Sequence, residues 1–193
     1  MGKARLEMFS DGLLAIIITI MVLELKVPET ASLSALRPLC PKLFAYVISF
    51  VYLGIYWNNH HHLLHTVKQI DGWVMWANMH LLFWLSLVPF TTGWIGETEA
   101  ALWPTVAYGA ILFMSGIAWL LLQQAIVHID GGTASQLARA IGSDTKGKLS
   151  CLGYAAAIAL SFVDPRISIG IYVAIAIVWL IPDRRIKRVV EHG

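Results

Sequence analysis

The sequence predicts an all-α, polytopic membrane protein with six transmembrane helices, a single domain over residues 1–193 and both termini in the cytoplasm. Three observations predict it. Of 193 residues, 58% are hydrophobic and only 13% charged, with a mean hydropathy of +0.68. A water-facing domain carries about 25% charged residues, so lipid is the solvent for most of this chain. Six apolar runs recur along it, unbroken rather than alternating. Backbone groups in hydrocarbon must be satisfied within their own segment, which selects helices over a barrel for such runs. The third observation is the uneven division of Lys and Arg between the two sides that six crossings define.

A bilayer core of about 30 Å needs roughly 20 helical residues. The first run, Phe9 to Val27, is stopped by Pro28. Lys3 and Arg5 ahead of it resemble the start of a signal peptide. The run ends in Glu-Leu-Lys-Val-Pro with no small-x-small cleavage site, so a retained helix is expected. The second runs from Leu43 to Leu64 after Pro41, and the third from Trp73 to Thr92 with Pro89 near its end. The fourth, Leu102 to Val127, is long enough to tilt. The fifth, Leu149 to Val163, is short and Ala-rich and ends at the Asp164-Pro165 turn. The sixth, Ile167 to Ile181, is closed by Pro182; the last two form either two spans or one re-entrant hairpin.

With six crossings, Lys3, Arg5, Lys68, Arg139, Lys146, Lys148, Arg184, Arg185, Lys187 and Arg188 fall on one side. Lys26, Arg37, Lys42 and Arg166 fall on the other. Ten against four puts the termini in the cytoplasm by the positive-inside rule. Trp73, Trp76, Trp94, Trp103 and Trp179 stand near segment ends, where interfacial aromatic belts form. The longest polar connection, Ile129 to Lys148, reads as a cytoplasmic loop with a helical turn or two between Ser135 and Ile141.

Several function classes lose ground on composition. A net charge of +2 without a basic run ahead of the C-terminus gives nucleic acid no footprint. Cys40 and Cys151 have no CxxC partner or metal-ligand spacing and are expected as inert thiols. His61 and His65 in His60-His61-His62-x-x-His65 share a helix face, but no HExxH glutamate completes a metal site. The serines lack a GxSxG context, and Gly131-Gly132 lacks the Lys-Ser/Thr of a phosphate loop. No catalytic residue, resident metal or cofactor is expected. A small secondary transporter would want buried charges or broken helices at midplane; the segments hold no Lys or Arg there. A non-conducting structural membrane protein is compatible with composition alone.

The first helix carries the chemistry. It opens with Arg5-Leu6-Glu7-Met8-Phe9-Ser10-Asp11-Gly12. An Asp at the mouth of an apolar span is costly unless paired, hydrogen-bonded or wet. Read from the residues alone, Ser10 and Asp11 serve as helix-start acceptors and Arg5 snorkels to the headgroups.

Arg5-x-x-x-Phe9-Ser10-Asp11 at this place resembles the signature of the transmembrane protein 175 family, lysosomal and prokaryotic potassium channels that lack the usual filter sequence. The likeness continues through Gly12 and Leu-Leu-Ala-Ile-Ile-Ile-Thr-Ile-Met-Val-Leu-Glu-Leu. It extends to Tyr56-Trp57-Asn58-Asn59-His60-His61, to Asn78 and to Leu87-Val88-Pro89-Phe90. It is strong over residues 1–95 and rests on hydropathy beyond. The resemblance implies a potassium-conducting cation channel subunit of the cell membrane, whose partners are potassium ions in transit, the lipid bilayer and its own copies in a homotetramer.

The resemblance also implies that the first helices line the pore, with Ile16, Ile20 and Leu23 at its constrictions and Thr19 as a neighbouring hydroxyl. At about 100° per residue, Ile16, Ile20, Leu23 and Val27 fall within roughly 60° of arc, with Phe9 on the same line. Asp11 points roughly 140° away from Ile16, so it is expected to face other helices and hold the first helix in place. Trp57, Asn58, Asn59, His60 and His61 on the second helix, with Asn78 and His80 on the third, are its candidate partners. Such a cluster is favourable only when every member is satisfied.

Overall fold

The computed structural model describes residues 2–67, 69–132, 138, 142 and 144–180. Lys68, Arg139, Arg184, Arg185, Lys187, Arg188, the closure at Ile181-Pro182 and most of the expected turns between Ser135 and Ile141 lie outside them.

Among the described residues the chain is helical, with no strand. Helix α1 covers Lys3–Leu23, starting six residues before the apolar run and ending before its last residues. Hydropathy marks where lipid is, whereas the helix itself runs on into water. Its first turn is set by the Gly2 carbonyl, which takes the amides of Arg5 and Leu6 at 3.1 and 3.3 Å, and a Lys3–Glu7 pair at 3.9 Å one turn apart follows. At the far end Pro28 cannot donate to the Glu24 carbonyl and disfavours helix at Val27. The chain leaves α1 through a turn in which the Leu25 amide bonds the Val22 carbonyl at 3.1 Å.

A 3-10 helix, Leu33–Leu39, feeds α2, Cys40–His65, with Pro41 in the first turn where its missing amide costs nothing. Asp71 caps α3, Gly72–Ser86, by accepting from the Val74 amide at 2.8 Å. Leu87 alone separates α3 from α4, Val88–Glu97, and the two together make one 26-residue pass. The interruption falls where Pro89 enters, since a proline removes the amide that would continue the ladder. Helix α5 covers Leu102–Ile129, α6 Thr145–Ser161 and α7 Pro165–Leu180.

Among the described residues, four passes (α1, α2 with its 3-10 lead, α3–α4 and α5) are long and apolar enough to cross a membrane. The 17 residues of α6 and the 16 described residues of α7 form a tighter antiparallel pair. Ser168 donates to the Ala157 carbonyl at 2.6 Å and accepts from Ser161 at 2.8 Å, fixing the hairpin from within. Helix α5 reaches this pair closely at Gly109: a Cβ there would overlap Tyr172 Oη and lie 2.8 Å from Tyr172 Cζ. Buried hydroxyls then tie the passes together. Ser49 on α2 meets Thr92 of α4 at 2.7 Å and Tyr108 of α5 at 2.9 Å. Tyr52 donates to the Tyr172 carbonyl of α7 at 2.6 Å.

Candidate functional site on the first helix

Helix α1 has two faces. Leu6, Ser10, Leu14, Ile17 and Met21, at spacings of three and four, are buried against the other helices. Away from them Phe9, Ile16, Ile20 and Leu23 stand open at 46%, 55%, 45% and 77% exposure. Thr19, also exposed, donates its hydroxyl to the Ile16 carbonyl at 2.8 Å. Its proton is thus committed to the helix, and only oxygen lone pairs face outward. The stripe is apolar, with a hydrogen-bond acceptor at Thr19 as its outward polar group.

The buried face is fixed by a directed chain of side chains. The His60 ring meets Asn78 Oδ1 at 2.6 Å; Asn78 Nδ2 donates to Ser10 Oγ at 3.0 Å; Ser10 donates to the Leu6 carbonyl at 2.9 Å. Since Asn78 Oδ1 only accepts, His60 Nε2 carries the proton. Ser10, Asn78 and His60 are all buried, so each of these side chains has exchanged water for a neighbour. Asp11 is held separately: its carboxylate accepts from Trp57 Nε1 at 3.0 Å at a partly exposed position. Ser10 and Asp11 lie about 100° apart around the helix, so they reach different partners.

The structure thus brings together Ser10, Asn78 and His60, and separately Asp11 and Trp57. His61 makes ring contacts instead, stacking on Trp57 at 6.3 Å and on His65 at 5.8 Å between centroids. Arg5 is exposed. Of the other candidates, Asn59 donates to its own helix at the Ile55 carbonyl, 2.8 Å away, and His80 accepts from Trp84 at 2.9 Å. Asn58 is exposed. The single cluster expected from the sequence is therefore two short connections. Sequence reasoning missed Lys3, whose ammonium donates to the His65 carbonyl at 2.9 Å and ties the start of α1 to the end of α2. Its place one turn before Glu7 and two before Ser10 and Asp11 is the available signal. At the opposite end Lys42 pairs with Glu97 at 2.5 Å, and Glu24 lies against Gly93.

A family model described as "Endosomal/lysosomal potassium channel TMEM175" matches residues 5–89, which include both faces of α1 and every partner just named on α2 and α3. A potassium channel of Chryseobacterium sp. (strain P1-3) is 54% identical over 193 residues, covering all of both chains. This chain belongs to the TMEM175 family. A second TMEM175-like relative, a potassium channel of Chamaesiphon minutus, is 34% identical over 185 residues, 90% of this chain and 91% of that one. The crystal structure of a lysosomal potassium-selective channel TMEM175 homolog from Chamaesiphon minutus superposes with a TM-score of 0.82 at 29% identity. It covers 94% of this chain and 97% of the homolog, so the TMEM175 fold includes α6 and α7 as well as the four long passes. TMEM175 is a family of ion channels, which is not an enzyme class.

Proposed function

We propose that this chain is one subunit of a potassium-conducting channel in the cell membrane, with residues 1–193 as a single channel domain and both termini cytoplasmic. The observation that carries the reading is the open apolar stripe of α1, lying away from the face that packs on α2, α3 and α4. One such helix cannot enclose a pore, so the stripe closes only in a cyclic assembly. A homotetramer, four first helices around one axis, is the form the family implies. Ile16 then forms a ring narrow enough to dewet, with Ile20 and Leu23 beyond it and Thr19 oxygens one turn away. Such a ring replaces the carbonyl ladder of ordinary potassium filters. It favours potassium because that ion gives up its hydration more cheaply than sodium does. The connections from Ser10 to Asn78 and from Asp11 to Trp57 hold α1 so that the stripe faces the axis. The reading calls for no cofactor and no resident metal.

The test is potassium flux in proteoliposomes with assembled wild type and Ile16→Asn. A polar ring should raise the rate or erode the potassium-over-sodium preference. Correctly assembled wild type that passes no ions, with Ile16→Asn merely unstable, would return Ile16 to the packing core and end the channel reading.

A further inference from the structure

Away from α1, a lateral cleft opens between α2, α4, α5 and α7. It is a shallow groove, open to the side rather than an enclosed cavity, and is lined by Phe44, Ala45, Ile48, Ile95, Ile169 and Val173 over a floor of Tyr108 and Tyr172. The floor looks polar in sequence but not in space. Tyr108 Oη is paired with Ser49 at 2.9 Å, and Tyr172 Oη donates to the Thr105 carbonyl at 3.2 Å. The two rings, 5.7 Å apart, therefore present carbon to any occupant. Phe44, 52% exposed, forms an open rim.

The level of the cleft matters. Phe44, Ala45 and Ile48 stand in the first turns of α2, and Ile169 and Val173 in the first turns of α7. Both helices start at the same membrane face. On α7, Arg166, Ile169 and Val173 are three and four residues apart and share one side of the helix. Arg166 is exposed, and its described contact is the backbone amide, which Asp164 accepts at 2.9 Å. One line down this face thus runs from an exposed guanidinium to an apolar slot at hydrocarbon depth.

We propose that this cleft is a binding site for an anionic phospholipid, one acyl chain in the slot and the phosphate on Arg166. Guanidinium and phosphate make charge-assisted, bidentate contacts that a zwitterionic headgroup weakens with its own cation. A second copy of the chain is the poorer occupant. The subunit contact proposed above uses α1, and a copy seated here would have to cover an exposed arginine.

The assembled protein, purified in mild detergent, is titrated by native mass spectrometry with palmitoyl-oleoyl phosphatidylglycerol, the matching phosphatidylcholine, and the water-soluble glycerophosphoglycerol headgroup. Wild type should hold phosphatidylglycerol about fivefold more tightly than phosphatidylcholine, the effect of one cation at an anionic lipid surface. Arg166→Gln should abolish that preference, and Lys148→Gln, at the opposite membrane face, should keep it. Val173→Trp should weaken both lipids at unchanged subunit number, and the headgroup alone should not compete. Equal binding of both lipids by wild type, or an unaltered preference in Arg166→Gln, overturns the proposal. Competition by the free headgroup would reduce the site to a surface anion contact, and a lower subunit number in Val173→Trp would assign the cleft to a second copy; either result also overturns it. Lipid retention is read without ion flux, so it stands or falls apart from the conduction reading.

Discussion

Replacing Asn78 with leucine, close to it in size, should cost the protein about 2–3 kcal/mol. Asn78 sits fully buried between His60 at 2.6 Å and Ser10 at 3.0 Å. Leucine can neither accept from His60 nor donate to Ser10. The larger loss falls on His60, whose Nε2 proton is left buried and unpaired at a cost of about 1–3 kcal/mol. Ser10 keeps its bond to the Leu6 carbonyl at 2.9 Å and loses only an incoming donor, about 0.5–1 kcal/mol. Single polar contacts between membrane helices average about 0.6 kcal/mol, because the unfolded state in the membrane finds partners too. The excess expected here comes from the orphaned imidazole, and a second substitution isolates it. His60→Phe in the Asn78→Leu background removes the orphan and should recover about 1–2 kcal/mol. Denaturant titration of the assembled protein, with exposed Asn58→Leu as control, measures all three. Asn78→Leu no worse than Asn58→Leu, or no recovery in the double variant, would refute the idea that this chain of hydrogen bonds fixes α1.

Other outcomes follow from the same geometry. Gly109→Ala should prevent stable assembly, because its Cβ meets Tyr172 and lies 2.9 Å from Ile158. Gly12→Ala has nothing within 4 Å inside the subunit and should leave the fold intact or firmer by about 0.5–1 kcal/mol; fluorescence-detected size exclusion on heating separates the two. In a background with Cys40→Ser, charged methanethiosulfonate reagents should block most flux through Ile16→Cys, Ile20→Cys and Leu23→Cys, and spare Leu14→Cys and Ile17→Cys. Trp57→Phe removes the 3.0 Å bond to Asp11 at a half-exposed position. It should cost about 0.5–1.5 kcal/mol with conduction retained, by thermal unfolding and flux together.

The six apolar runs are legible in the sequence because hydrophobic content reports directly on contact with lipid. Where helices begin and end is less legible, since that depends on water-exposed turns. Lys3 to Met8 is helical without being apolar, and Pro89 opens a new helix where it reads as the end of an old one. On α1 the opposite directions of Asp11 and Ile16 follow from helical geometry alone, as does the stripe from Ile16 to Leu23. Which side chain Ser10 meets does not follow. Asn78 lies 68 residues away, and nothing local distinguishes His60 from Asn58, Asn59 or His61. That choice is made by how α2 and α3 pack, which puts His60 inward and leaves its neighbours on the rim. The cleft under Arg166 is equally silent in sequence, because its floor is two tyrosines whose hydroxyls are turned away to other partners.

The uneven lengths of the passes make the surrounding bilayer part of the structure. Helix α5, with 28 residues, is about 42 Å long, while α6, with 17, is about 25 Å, against a hydrocarbon core of about 30 Å. A membrane of one thickness cannot suit both. Helix α5 must lean, and the leaflets must pinch inward along the flank beside α6, at a fraction of a kcal/mol for each ångström of misfit. Lipids with shorter chains relieve that pinch and should gather on this flank. The subunit is therefore more comfortable in a thin membrane than in a thick, sterol-stiffened one, and acyl chain length becomes a variable that any reconstitution of it has to control.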